Sequence, residues 1–346
     1  MPTLLRSNPD ITLQKRFMTK LKAENIWCQS RSDLKRILDR GLIVDKSRKI
    51  RFYAPSFMYY RTNHFCSTPN VFPTISITGH GCSLHCKHCD GKVLETMFPA
   101  ETPEKLYSRC RKLKAEGALG CLISGGCTSD GSVPLGKFIR AIARVRKDLG
   151  LTVLVHTGIV DTTIAESLKQ AGVDAALVDI IGSDETIRQV YDLTATVDDY
   201  YKSLGALQSS GVAFVPHVIV GLHDGKLKGE LQALHMISNY KPSALVVIAF
   251  MPIRGTPMGD VDPPEPLDVA KVLGTARVMF PSTPLALGCM RPQGRHRAET
   301  DVLAVKSGVD AIAFPAEEAI MFAEQEGCEV SFSSFCCSQI YRDLLT

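Results

Sequence analysis

From residue 74 onward the chain repeats one pattern: a short apolar run, an amphipathic stretch closed by glycine, then another apolar run. The runs lie at 74–78, 121–124, 152–156, 175–180, 213–220, 244–250, 285–288 and 311–314. Between them come segments such as "TPEKLYSRCRKLKAEG" and "TTIAESLKQAG", whose apolar residues recur at helical spacing. Glycine closes several of these segments, in "KAEGALG", "KQAGVDA", "QSSGVAF" and "VKSGVDA", where a left-handed C-terminal turn favours it. Strands that are apolar on both faces and alternate with helices form a parallel sheet. Eight of them over about 240 residues fit an α/β fold of the (β/α)8 TIM type. A doubly wound open sheet is the alternative.

Three segments follow from this pattern. Residues 1–70 form an N-terminal lead-in, helical where "LQKRFMTKLKAENIW" places Leu13, Phe17, Leu21 and Ile26 on one face, then aromatic and irregular. Residues 71–315 form the barrel, and 316–346 a C-terminal helix and a tail that carries cysteines. Barrel chemistry sits at the C-terminal ends of the strands, which points to 81–89, 124–127, 156–158, 179–182, 221–223, 252–258 and 288–291. A net charge of +4, with lysines and arginines scattered, argues against nucleic acid. No apolar stretch reaches the ~18 residues of a membrane span, and the N-terminus lacks a secretory layout. The cytoplasm is the expected location, so the twelve cysteines suggest metal or catalysis rather than disulfides.

Three of those cysteines, Cys82, Cys86 and Cys89, crowd into "GCSLHCKHCD", residues 81–90. A zinc site completed by a neighbouring histidine is one reading. A 4Fe–4S cluster with three thiolates and one open iron is the other. C-x3-C-x2-C in the loop after the first barrel strand resembles the radical S-adenosylmethionine (SAM) superfamily. The resemblance implies that the open iron binds the amino and carboxylate groups of SAM. It also implies reductive cleavage to a 5′-deoxyadenosyl radical that takes hydrogen from an unactivated C–H bond. The residue before the third cysteine, usually aromatic in the family, is His88. By the same resemblance, Ser124, Gly125 and Gly126 of "ISGG" would hold the methionine amino group and Asp179 the ribose hydroxyls. Val220 and Gly221 of "VIVGL" would line the adenine. Arg291, with Arg295 and Arg297 in "MRPQGRHR", is a candidate partner for the SAM carboxylate or a cluster, a solvated loop being the alternative. His156 is a candidate donor to SAM or substrate.

Similarity to biotin synthase runs through the barrel and includes "GTPM" at 255–258. Biotin synthase draws sulfur from a cluster inside its barrel, with cysteines on strands 2, 3 and 5. Residues 151–158 and 213–221 contain no cysteine here, so that cluster cannot be built the same way. Cys127, Cys289, Cys336 and Cys337 are the candidate ligands of a second 4Fe–4S cluster, with the tail folded over the barrel mouth and Cys66 in reserve. Cys28, Cys110, Cys121 and Cys328 are assigned to structure. "SITGHGCSLHCKHC", "LISGGC", "ETIRQVYDL", "VPHVIVGLHDG" and "LGCMRP" resemble the two-protein, archaeal-type lipoyl synthases. That resemblance implies a sulfurtransferase acting on an octanoyl chain carried by a lipoyl-domain or H-protein-like acceptor. A second radical-SAM subunit and a low-potential electron donor would be its partners. The C-x4-C-x5-C motif of single-chain lipoyl synthase is absent from the sequence. Phe57, Tyr60, Phe250, Ile253 and Met258 are candidates for an acyl pocket. A methylornithine-type rearrangement, metallocofactor maturation and a non-catalytic iron–sulfur protein are the competing readings; no catalytic acid or base is assigned.

Overall fold

The computed structural model describes residues 23–43 and 48–344. The helical positions Leu13, Phe17 and Leu21 lie outside the described residues. Ile26, the last of that face, is fully buried in the short helix Ala23–Trp27.

Among the described residues, eleven strands form one parallel sheet. They are β1 (Lys49–Tyr53), β2 (Thr74–Ser76), β3 (Phe98–Pro99), β4 (Gly120–Ser124), β5 (Thr152–His156), β6 (Ala175–Asp179), β7 (Phe214–Val220), β8 (Leu245–Ala249), β9 (Leu285–Leu287), β10 (Ala311–Ala313) and β11 (Glu329–Ser333). Their order is β11-β1-β10-β9-β8-β7-β6-β5-β4-β2-β3. The eight apolar runs are β2 and β4 to β10, and the barrel class holds. The sheet is a curled half-barrel rather than a closed ring, since no ladder among the described residues joins β11 to β3. β1 pairs with both β10 and β11, so a segment assigned to the lead-in is built into the sheet.

Alternation along each strand sorts side chains between two cores. Val153 and Val155 of β5, Val178 of β6, and Val218 and Val220 of β7 face the helical layer. Tyr53, Leu154, Ala175, Leu177, Val215, Val246, Ala286, Ala311 and Ala313 face the lumen. So many alanines line that lumen that the strand side chains alone leave space inside it.

The chain fills the space with its own C-terminal segment. After β11 the tail turns into the lumen, where Cys337 and Ile340 are buried among the strand residues. Phe335 packs on Phe72 with ring centroids 5.7 Å apart. At the floor, the Tyr341 hydroxyl donates to the Asp174 carbonyl at 2.6 Å and Arg342 pairs with the Asp174 carboxylate at 2.5 Å. The Tyr53 hydroxyl donates to Asp343 at 2.6 Å. The tail therefore occupies the lumen instead of closing over its mouth. Phe57 and Tyr60 reach the same core by packing on Phe314.

Because Ile340 fills space no strand residue occupies, Ile340→Ala should lower the unfolding free energy by about 2–5 kcal/mol. A lower urea midpoint at unchanged slope is the expected result; an unchanged midpoint would show that the tail merely lies in the lumen.

Candidate metal and cofactor site

The cysteine loop runs from the end of β2 and is fixed by backbone contacts on three sides. Ser83 N–H donates to the Cys127 carbonyl at 2.8 Å, and Lys87 N–H to the Val190 carbonyl at 2.8 Å. The Lys87 carbonyl accepts from Met258 N–H at 3.1 Å. Val190 lies in a π-helical turn, Ile187–Tyr191, whose wider coil brings its carbonyl to the loop. This turn is the "ETIRQVYDL" segment, and Tyr191 packs on His88 at 5.1 Å between ring centroids.

Within the loop Cys86 is buried and Cys82 and Cys89 are half-buried. One ligand atom each from Cys86, His88 and Cys89 lie within 4.8 Å of one another. A hydrogen bond from Cys86 foremost, with help from His88, brings the Cys89 thiol down to about 4, while the Cys86 thiol is pushed up. His88 Nδ1 is buried without a partner. Three thiols on one loop, one of them readily ionised, form a donor set that fits an iron–sulfur cluster; the same atoms would suit zinc.

Gly126 shows how closely the end of β4 approaches this loop. A Cβ on Gly126 would lie 2.2 Å from the Gly81 carbonyl oxygen and 2.6 Å from Cys82 Cα, well inside van der Waals contact. Its N–H donates to Thr78 Oγ1 at 2.7 Å. Gly125 is nearly as confined, with Ile77 and Thr78 atoms 3.1 Å from a Cβ. The Ser124 carbonyl accepts from Ile77 N–H at 2.7 Å, so it belongs to the sheet.

Asp179 ends β6 facing the lumen. Its Oδ1 is 3.4 Å from His156 Nε2 and 3.9 Å from His217 Nδ1. Burial raises this carboxyl, but the His156 and His217 imidazoles outweigh it and hold it at about 2. Burial pulls His217 down to about 4. For His156, burial is overcome by Asp179 and the net shift is upward.

The four cysteines proposed for a second cluster separate into two places. Cys127 belongs with the loop: its carbonyl is 3.9 Å from Cys82 Sγ, and burial, then Cys82, raise its thiol to about 12. Cys289, Cys336 and Cys337 gather in the lumen. Burial, then Cys336, raises Cys289 to about 11. A hydrogen bond from Cys337 foremost brings Cys336 to about 7. Cys66 is exposed, opposite Arg61 in an isolated bridge.

Two of the cofactor assignments need correction. Arg291 is fully buried, with Nε and Nη2 on Asp301 at 2.6 and 2.8 Å and Nη1 on the Gly288 carbonyl at 2.6 Å. A bidentate buried pair leaves the guanidinium committed to the fold. Val220 faces the helical core, and Gly221 (φ +73°) donates its N–H to Glu230 at 2.9 Å. Arg291 and Arg297 both lie within electrostatic reach of Cys289; burial lowers Arg297 to about 10. Of the acyl-pocket candidates, Phe250 and Met258 are buried in the helical core, and Phe57 and Tyr60 pack at the lumen.

Comparisons with known proteins match this geometry. The Radical SAM superfamily model matches residues 76–228. Biotin synthase of Hyphomonas neptunium is 26% identical over 250 residues, spanning 69% of this chain and 75% of that protein. Biotin synthase of Beijerinckia indica is 24% identical over 298 residues, spanning 82% and 87%. In fold, the chain is similar to methylornithine synthase (TM-score 0.59, 14% identity, 92% of this chain and 97% of that one). It is also similar to the FeFe-hydrogenase maturase HydG from Carboxydothermus hydrogenoformans (TM-score 0.60, 13% identity, 93% and 79%).

Gly126→Ala should displace Cys82 and reduce iron retained after anaerobic reconstitution several-fold, whereas Gly136→Ala, which meets only Ile164 at 3.6 Å, should retain it. Equal iron in both would show that the loop relaxes freely. Glu230 gives a pH test. Burial raises it from 4.5 to about 7, so the folded state binds the extra proton between those values. Its contribution to stability is complete below pH 4.5 and is lost as pH rises to about 7. Glu230→Gln should remove that decline from the unfolding free energy measured across the window; an unchanged slope would refute the shift.

Proposed function

This chain belongs to the radical SAM superfamily, in its biotin-synthase-like branch, and we propose that it inserts sulfur into an unactivated C–H bond of a protein-bound octanoyl chain, or of one already carrying a thiol. It would act as one half of a paired lipoyl synthase. The observation that carries this reading is the gathering of Cys289, Cys336 and Cys337 inside the lumen, separate from the loop of Cys82, Cys86 and Cys89.

When bound, a 4Fe–4S cluster with SAM supplies a hydrogen-abstracting organic radical using one electron from a low-potential donor, and a second iron–sulfur centre supplies the sulfide that replaces the hydrogen. Cys82, Cys86 and Cys89 would hold the first. Gly125 and Gly126 keep side chains out of the space beside it. The lumen thiols would hold the second. Phe57, Tyr60 and Phe335 cover the lumen with apolar surface, which orients a substrate and keeps water away from reactive species.

The acceptor would be an octanoylated lipoyl-domain or H-protein-like carrier, and a second radical-SAM subunit would complete the pair, in the cytoplasm. The lumen thiols need a reducing compartment.

The test is anaerobic reconstitution, counting of iron and sulfide, and reaction with dithionite, SAM and an octanoyl-lysine peptide. About eight irons per chain, two 4Fe–4S clusters' worth, with 5′-deoxyadenosine and a peptide heavier by one sulfur, is the expected outcome. About four irons, with deoxyadenosine and unchanged octanoyl and mono-thiolated peptides, would overturn sulfur insertion. In the variant with Cys82, Cys86 and Cys89 all changed to Ala, deoxyadenosine should disappear.

A further inference from the structure

Strand alternation brings three ligating side chains to one level of the lumen. His156 follows Leu154 on β5, Asp179 follows Leu177 on β6, and His217 follows Val215 on β7, each two residues beyond a lumen-facing neighbour. Asp179 and His217 are direct partners in the β6–β7 ladder. One ligand atom from each of the three lies within 4.8 Å of the others.

One separation has the size a metal imposes, and the others are within a small side-chain shift of it. Nitrogen and oxygen donors at about 2.0–2.2 Å from a tetrahedral metal stand roughly 3.4 Å apart. The Asp179 Oδ1 distances are 3.4 Å to His156 Nε2 and 3.9 Å to His217 Nδ1. His217 supplies a second, independent observation. It is 8% exposed, yet its Nδ1, aimed at Asp179 and too far for a hydrogen bond, has no partner. An orphaned buried nitrogen of this kind calls for a ligand. Its other nitrogen is 3.4 Å from Ser338 Oγ of the tail, so the tail fixes the ring's orientation.

The tail also brings a thiol. Cys336, two residues before Ser338, is within electrostatic reach of His156 and of Cys289.

We propose that the barrel lumen binds iron through His156, His217 and Asp179, the carboxylate standing between the two imidazoles. The proposal rests on the sulfur-insertion reading insofar as this is the second centre that reading requires, and it replaces an all-thiolate ligand set with a mixed one. Imidazole is a neutral donor, so two of them leave the centre less negative than four thiolates would. Histidine in place of cysteine raises the potential of an iron–sulfur centre. Either a single iron or a small cluster satisfies these donors, and sulfide content separates the two.

The experiment uses the full chain with Cys82, Cys86 and Cys89 changed to Ala, so that iron at the loop does not contribute. It is loaded anaerobically with ferrous iron, in one arm with sulfide and in one without. Iron and sulfide are counted, and directly coordinated nitrogen is read by pulsed electron paramagnetic resonance. Iron retained with nitrogen coupling is the expected result, coupling being weakened by His156→Ala and by His217→Ala. His217→Cys should restore iron to the level of the parent while leaving the coupling reduced, which separates ligation from a folding defect. Iron retained without nitrogen coupling, and indifferent to both histidine variants, would overturn the mixed ligand set and leave the second centre standing. No retained iron in either arm would overturn the lumen centre itself. Sulfur transfer to the peptide by the unmodified enzyme would then judge the functional reading separately.

Discussion

The small residues on the inner face of the sheet are the constraint on which the rest of the molecule turns. Ala175, Ala286, Ala311 and Ala313 face the lumen from β6, β9 and β10. An interior packs to the density of an organic crystal, so a curled sheet lined in this way needs filling from elsewhere. Phe72 enters from the segment before β2, and Cys337 and Ile340 from the tail. The same shortage of side-chain volume that admits the tail carries Cys336 to the strand ends where His156 and Asp179 stand. Packing and chemistry here have one cause.

Around the lumen, two buried polar devices hold the strand ends in place. Asp301 accepts both Arg291 nitrogens and also the Ala316 N–H at 2.8 Å, tying the loop after β9 to the chain after β10. Breaking one partner of such a pair strands a buried charge, which costs about 3–5 kcal/mol. Gly126 against Cys82 is the second device, and it works by exclusion: any side chain there would push the cysteine loop away from β4. Cys289 and Cys82 thus owe their positions to residues that need touch no cofactor.

The strands were legible because parallel strands covered by helices on one side and a filled lumen on the other are apolar on both faces, so each run stood out against its amphipathic neighbours. β1 and β11 escaped notice since "KIRFY" and "EVSFS" mix charge and hydroxyls with apolar residues, as the edge position of β11 permits. The cysteine loop was legible because its ligands are contiguous. The lumen set was not: His156, Asp179, His217 and Cys336 are scattered over the chain, and only the register of β5, β6 and β7 brings the first three together. Arg291 was misread for a related reason. An arginine beside a strand-end cysteine looks like a free cation until Asp301, ten residues on, is seen to hold it. Cys127 looked like a lumen thiol because it follows a strand end, yet the glycines before it turn the chain toward Cys82.

The closed floor limits how a substrate reaches the lumen layer. Asp174 is engaged by Arg146 at 2.9 Å, by Arg342 at 2.5 Å and, through its carbonyl, by Tyr341; Asp343 is held by Tyr53 and Arg51. These contacts seal the N-terminal ends of the strands with tail residues. A reacting carbon must then arrive from the C-terminal ends, past Phe57, Tyr60 and Phe314, whose rings meet at 5.2 and 5.8 Å. The octanoyl chain proposed as substrate suits that approach, because its carrier would stay outside while the chain enters. A bulky carrier-free substrate would have to displace those rings, and with them the cover that keeps water from the lumen.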